Sequence, residues 1–339
     1  MGKTVVVSAV NIVDGGALTV LKDAILSFEK NARPDDRYYF LVSSSAVHQD
    51  LSCNNIQFIY FEKSKKSWLY RLYYEYINFY FLSKKLNPDI WLSLHDTTPN
   101  VACKKRLVYC HNPSIFLDFP LKDFRLDPKQ FLFSKLYKYL YKLNIKKNSF
   151  VITQQAWMAG SFERIFGIEN LLVAAPDTSD THIEIAPAKE LKKPAETIKE
   201  IFYPSFPRYF KNHAIIYNAS RIFPDIKFTI TINGTETPYI RKIEEKGTTP
   251  NLNKVGLLPR QKVYDYYSSC DALLFPSLLE TWGLPLTEFK AFNKPIICAD
   301  LPYAHETLGN YKKIYWFDPT SEASLESAIN RFLSNAEPD

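Results

Sequence analysis

Glu280 and Glu288 stand eight residues apart, on either side of a Gly283-Leu284-Pro285 turn. Before them, Ala272-Leu-Leu-Phe275 reads as a short buried strand. After Gly283, the residues Thr287, Glu288, Phe289 and Ala291 follow a helical pattern. Pro285 suits the first turn of that helix, where its missing N–H has no partner to lose. Glu280 is therefore expected in the loop at the carboxyl end of a strand, and Glu288 about one turn inside the next helix. A strand end, a glycine loop and free helix N–H groups together make a site for an anionic ligand. Glu280 would repel a bare phosphate, so it suits hydroxyl groups on something attached to the phosphate. A diphosphate carrying a sugar on one side and a ribose on the other fits both carboxylates.

Cations stand elsewhere in the chain. Arg208 and Lys211 lie in Ser205-Phe-Pro-Arg-Tyr-Phe-Lys-Asn-His213, between a strand and a helix, where two positive charges suit a diphosphate leaving group. The alternative is a pair of solvated charges. His111 ends the strand Leu107-Val-Tyr-Cys110, a position that faces a binding edge more often than a core. His95, in Ser93-Leu-His-Asp-Thr97, is a second candidate with Asp96, but its expected role is a hydrogen-bonded structural histidine. Gly15-Gly16 follows the first strand without a G-x-G-x-x-G fingerprint. It is either a plain tight turn or a place where backbone N–H groups approach a phosphate or a sugar.

The run Asp271-Ala-Leu-Leu-Phe-Pro-Ser-Leu-Leu-Glu-Thr-Trp-Gly-Leu-Pro-Leu-Thr-Glu288, followed by Lys294-Pro-Ile-Ile-Cys-Ala-Asp300 and His305-Glu-Thr-Leu-Gly309, resembles the donor-binding core of the GT-B retaining glycosyltransferases of family 4. The resemblance implies a hexosyltransferase of the bacterial surface-polysaccharide type, serving capsule or O-antigen synthesis. Its donor would be a UDP or GDP sugar used as co-substrate, with no other cofactor and no metal. Its acceptor would be a lipid-linked oligosaccharide. The same resemblance gives Glu280 a sugar hydroxyl and Glu288 the ribose. It sets Thr281, Trp282, Gly283 and Leu284 around the diphosphate, and Gly15 and Gly16 near the donor phosphates or the acceptor. His111 would contact the donor sugar near the reacting carbon. In the family pattern an arginine stands five residues before the lysine, whereas position 206 here is Phe. Lys211 is the firmer match, and Arg208 would act from a different angle. Catalysis thus falls to His111, Lys211 and Glu280. Two rivals share the architecture: a non-catalytic sugar-binding assembly protein, and a nucleotide-sugar epimerase that needs no acceptor.

Composition narrows the class. The 339 residues suffice for two domains, and the net charge of +6 is localised. Between residues 120 and 147 eight Lys or Arg face only Asp123 and Asp127, which is +6 on its own. A local basic excess points to an anionic membrane surface rather than to nucleic acid. Lys135, Lys138 and Lys142 fall on one face of a helical pattern, and Leu132, Leu136, Leu140 and Leu143 on another. Trp68–Phe81 adds an aromatic stretch. The bland alternative is a solvated face over an aromatic core. Five scattered cysteines without metal-ligand spacing suggest a reducing compartment, and no apolar run approaches ~20 residues. The expected location is cytoplasmic, with peripheral attachment to the inner face of the plasma membrane.

Short β-branched runs alternate with helical patterns through both halves, which predicts an α/β protein of two Rossmann-like, doubly wound domains facing a cleft. The acceptor-side domain is expected over 1–174 and the nucleotide-sugar domain over 175–325, with a helix end and tail over 326–339. The Ala-, Pro- and Lys-rich stretch 175–194 reads as the linker and the entry to the second domain.

Overall fold

The computed structural model describes residues 2–13, 15–176 and 198–339. Its first sheet contains β1 (Thr4–Ala9), β2 (Arg37–Val42), β3 (Ile56–Tyr60), β4 (Ile90–Ser93), β5 (Lys105–Cys110), β6 (Phe150–Thr153) and β7 (Leu171–Val173). The helices among them are α1 (Gly15–Lys30), α2 (Trp68–Tyr73), α3 (Phe79–Leu86), α4 (Pro128–Lys142) and α5 (Ala156–Phe166). Every strand pair is parallel, in the order β3-β2-β1-β4-β5-β6-β7. All of β1 is buried, as its Thr-Val-Val-Val-Ser-Ala composition requires of a strand covered on both faces. Val5, Val7 and Ala9 pack with Leu21 and Ile25 of α1, while Val6 packs on the opposite face with Phe79 and Trp91. That alternation makes the sheet doubly wound.

The second sheet repeats the plan. It contains β8 (Lys199–Tyr203), β9 (Ile226–Ile230), β10 (Leu252–Lys254), β11 (Ala272–Phe275), β12 (Ile296–Ala299) and β13 (Ile314–Phe317). Between them run α6 (His213–Ile222), α7 (Pro238–Glu244), α8 (Arg260–Ser269), α9 (Leu284–Lys290) and α10 (Pro302–Leu308), and α11 (Glu322–Leu333) follows. The order is β10-β9-β8-β11-β12-β13, again wholly parallel. Both sheets therefore reverse direction beside their first strand, at β1/β4 and at β8/β11. In open α/β sheets ligands bind outside the carboxyl ends of the strands at that reversal.

The chain divides into two compact units, but not at a single point. Residues 113–135 group with the second unit, so the first domain expected over 1–174 is interrupted. The reason is visible in their contacts: the Phe119 ring lies 4.2 Å from that of Tyr209, and the Tyr209 hydroxyl donates to Asp123 at 2.9 Å. The tail over 326–339 is part of the second unit. The Asp339 carboxylate accepts from the Trp316 N–H at 2.9 Å and pairs with Arg331. Nearly all of the linker expected over 175–194 lies outside the described residues.

Sequence periodicity passed over several elements. Val255–Leu258 reads from the sequence as strand or turn; β10 ends at Lys254 and Gly256 turns with φ of 69°, so it is the turn. Helices α7 and α10 and strand β13 were not anticipated. Their patterns are short, and the two helices open on Pro238 and Pro302, which read equally well as turn residues.

His213, the first residue of α6, is fully buried, with Nε2 2.9 Å from the Ser205 hydroxyl and Nδ1 without a partner among the described residues. Burial, reinforced by the charge of Lys211, pushes its pKa down to about 3 from 6.5. The folded chain keeps this imidazole neutral, while the unfolded chain protonates it below about pH 6.5. Its contribution to stability is complete above pH 6.5 and is lost progressively towards pH 3. His213→Phe, which keeps a ring beside Tyr203 and Tyr239, should lose less of its melting temperature than the wild type between about pH 7 and pH 4. Circular dichroism melts that fall in parallel for both proteins would refute this.

Candidate active site

Two loops at the reversal of the second sheet carry the candidate residues Lys211 and Glu280. The first leaves β8 and passes through a short 3-10 turn, Tyr209–Lys211, before α6. The second leaves β11 and ends at Gly283, ahead of α9. The Leu278 N–H donates to the Phe210 carbonyl at 2.7 Å, which joins the loops through their backbones. The buried Tyr203 hydroxyl reaches both the Lys211 carbonyl (3.0 Å) and the Ser277 hydroxyl (2.8 Å). From the other side the Tyr303 hydroxyl donates to the Ser277 carbonyl at 2.7 Å. Burial holds both tyrosines far above the usual phenol range, so they remain neutral hydrogen-bonding struts.

Across this seam Lys211 and Glu280 form an ion pair, Nζ to Oε1, with each side chain 13% exposed. The Lys211 ammonium also lies 5.5 Å and 5.9 Å from the ring centroids of Phe210 and Phe275. An ammonium held against aromatic faces and one carboxylate keeps unused hydrogen-bond donors for an incoming anion. Arg208 is exposed, three residues away at the start of the 3-10 turn.

Glu288 sits in the second turn of α9 and is held by α8. Arg260, Tyr264 and Tyr267 are spaced i, i+4, i+7, so they share one face of that helix. The Arg260 guanidinium and the Tyr264 hydroxyl both donate to Glu288 Oε1 at 3.2 Å, and the Tyr267 hydroxyl donates to Oε2 at 3.3 Å. Burial raises the Glu288 pKa despite these donors, the strongest counterweight being Arg260. None of these three α8 residues was singled out from the sequence; the i, i+4, i+7 spacing opposite a carboxylate was the available signal.

Gly283 takes φ of 80° as the residue before α9, and no side chain caps the first turn of the helix there. Trp282 is pinned on both sides of its backbone: its indole N–H donates to Thr287 at 2.9 Å, and its carbonyl accepts from the Thr307 hydroxyl. Thr281 is half-buried beside it and Leu284 is exposed at the helix start. Lys294 has a structural task. Its ammonium donates to the carbonyls of Tyr267 (3.1 Å) and Cys270 (2.7 Å), closing the C-terminal end of α8 where cations are favoured.

The first domain holds its own candidates. Asp96 adopts φ of 71° after β4, and its Oδ1 accepts from the His111 N–H (2.7 Å), the Asn112 N–H (2.9 Å) and the Tyr141 hydroxyl (3.0 Å). The His111 ring is partly exposed, with Nε2 3.8 Å from Asp96 Oδ2 and Nδ1 without a partner among the described residues. His95 is fully buried against Ser8, Ser93, Thr97 and Glu75, and so is the structural histidine expected. Gly15 and Gly16 form the first turn of α1. Among the described residues, no three His, Cys, Asp or Glu side chains are grouped to hold a metal ion.

Comparison with known proteins agrees with this architecture. Residues 186–339, which cover the second sheet, match the family model described as Glycosyl transferases group 1. The O-antigen chain mannosyltransferase RfbU of Salmonella typhimurium is 26% identical over 211 residues, spanning 60% of this chain and 56% of that protein. Sucrose-phosphate synthase from Thermosynechococcus elongatus superposes with a TM-score of 0.69 at 14% identity, covering 98% of this chain and 90% of that one. Anabaena Alr3699/HepE in complex with UDP-glucose gives a TM-score of 0.66 at 13% identity, with the same coverage of 98% and 90%. The fold is that of the GT-B glycosyltransferases, two Rossmann-like domains with wholly parallel sheets.

A Cβ on Gly283 would meet Leu286 Cδ1 at 3.3 Å and the Phe275 ring at 3.6 Å, in a backbone conformation that L side chains rarely adopt. Gly283→Ala should therefore cost about 1–3 kcal/mol of stability, read from urea denaturation. A loss below a few tenths of a kcal/mol would mean that the loop relaxes freely.

Proposed function

We propose that this protein is a retaining glycosyltransferase of family 4 that moves a hexose from a UDP or GDP sugar to a lipid-linked oligosaccharide in surface-polysaccharide synthesis. One observation carries the reading: the Lys211–Glu280 pair stands at the reversal of the second sheet, inside the segment that matches the glycosyltransferase model. The saccharide-chain acceptor is carried over from the name of the RfbU relative, its lipid linkage from the family resemblance and the basic, aromatic surface, and the nucleotide class from the UDP-glucose bound to HepE.

The roles follow from charge. As the bond between sugar C1 and the diphosphate oxygen breaks, its electron pair passes to the phosphate and positive charge builds on the ring. Lys211 and Arg208 bind the growing negative charge, together with the N–H groups at Gly283 and Leu284, and such preorganised stabilisation usually contributes most to catalysis. Gly15 and Gly16 supply backbone N–H groups to the donor phosphates or to the acceptor. Glu280 accepts from a sugar hydroxyl, Thr281 and Trp282 flank it, and Glu288 accepts from the ribose. His111 contacts the donor sugar near its reacting carbon. The acceptor oxygen attacks the same face of the ring, and its proton passes to the departing phosphate, so no metal is required. The reaction takes place in the cytoplasm.

Thermal shift with UDP, GDP and their sugar conjugates tests the reading. One nucleotide class should raise the melting temperature, because a ligand that binds only the folded state stabilises it by mass action. Glu288→Ala and Lys211→Ala should weaken the shift, and Lys211→Ala should lower kcat roughly 10²–10³-fold. Equal shifts in wild type and both variants would remove the assigned diphosphate and ribose contacts. Turnover must also depend on added acceptor. Conversion of the nucleotide sugar without acceptor would identify an epimerase, and binding without any turnover a sugar-binding protein.

A further inference from the structure

The segment from α2 to α3 is one continuous helix interrupted by a π-helical stretch, Tyr74–Asn78. Its burial repeats every four residues. Arg71, Glu75, Phe79 and Ser83 are buried, while Leu69, Tyr73, Ile77 and Phe81 are exposed by 78%, 47%, 50% and 65%. An ordinary α-helix cannot sustain that repeat, because four residues turn about 400° and three such steps drift about 120°. The wider π turn absorbs most of the drift. It keeps both rows straight over twelve residues.

The inner row carries a buried charge network. The Arg71 guanidinium donates to Glu75 at 2.6 Å and to the His95 carbonyl at 3.0 Å, and the Thr97 hydroxyl donates to Glu75 at 2.5 Å. A buried charge pair of this kind must be held in register, since either partner alone would be costly. The consequence on the outer side is a rail of four large apolar side chains, a concentration that marks an interaction surface.

Charge identifies the occupant. Lys63, Lys65 and Lys66 are exposed before the rail and Lys84 and Lys85 after it, against exposed Glu62 alone, a net +4 (5 minus 1). Tyr70 and Tyr80 stand beside lysines, Nζ lying 6.0 Å and 4.5 Å from the ring centroids. An apolar row bracketed by lysines and interfacial aromatics matches a bilayer with anionic headgroups. The neighbouring helix adds to it: α4 turns Tyr137 and Tyr141 inward and leaves Leu136, Lys138 and Tyr139 exposed. Of the leucine row expected on a separate face of the 120–147 segment, Leu132, Leu136 and Leu143 are exposed, as are Lys135, Lys138 and Lys142.

We propose that Leu69, Tyr73, Ile77 and Phe81 form a membrane-docking rail that seats the first domain on an anionic lipid surface. No helix among the described residues is long and apolar enough to cross a membrane. The inference deepens the proposed function, which needs access to a lipid-linked acceptor, but its test reads binding alone. Sedimentation with vesicles of phosphatidylglycerol and phosphatidylcholine should pellet the wild type, and pure phosphatidylcholine should not. Leu69→Glu/Phe81→Glu should weaken vesicle binding at least tenfold while its melting temperature and its nucleotide-induced shift stay those of the wild type. Lys84→Glu/Lys85→Glu should remove the preference for anionic lipid. Undiminished binding by the Leu69/Phe81 variant would overturn the proposal. So would a wild type that light scattering finds dimeric and the same variant monomeric, since the rail would then seat a second copy. Failure of the nucleotide shift in wild type, with vesicle binding intact, would count against the transferase reading only.

Discussion

The site depends on holding one ammonium and one carboxylate together where the second sheet reverses. Lys211 and Glu280 come from loops far apart in sequence, and each loop follows a strand of the reversal pair, β8 or β11. Left to themselves, two such loops would drift. The backbone bond from Leu278 to Phe210 fixes them, together with the Tyr203 and Tyr303 hydroxyls, which hold the hydroxyl and the carbonyl of Ser277. The two charges satisfy one another, Nζ to Oε1, with each side chain 13% exposed.

The carboxylate eight residues later is built differently. Glu288 is held by two phenols and an exposed guanidinium, so its partners come from a helix face rather than from a strand end. Burial raises its pKa while Glu280 shares its charge with a lysine. Two glutamates of one short motif thus stand in different surroundings. The first domain follows the same economy. A single carboxylate, Asp96, in a left-handed backbone conformation, gathers two backbone N–H groups and a phenol to shape the turn that presents His111.

Much of this was legible in the residues. The strands with β-branched runs and the helices with clear apolar faces were placed within a residue or two, because both faces of a parallel sheet are covered and its strands are uniformly apolar. The placement of Glu280 in a loop and Glu288 in a helix follows from the strand Ala272–Phe275, from Gly283 and Pro285, and from the helical pattern after them. The division of the chain was not legible, because residues 113–135 join the second unit through Phe119 and Tyr209, and aromatic contacts made at a distance leave no local pattern. The π turn was hidden for another reason. Its four-residue repeat is visible at Leu69, Tyr73, Ile77 and Phe81, yet the buried partners Arg71, Glu75 and His95 meet only in the fold.

The most direct test of the central claim is a crystal structure of the protein with the nucleoside diphosphate that stabilises it. A phosphate oxygen should lie about 3 Å from the Lys211 ammonium, with the ribose against Glu288 and Glu280 turned from Lys211 towards the sugar side. A nucleotide bound away from the β8 and β11 loops, with the Lys211–Glu280 pair intact, would contradict it.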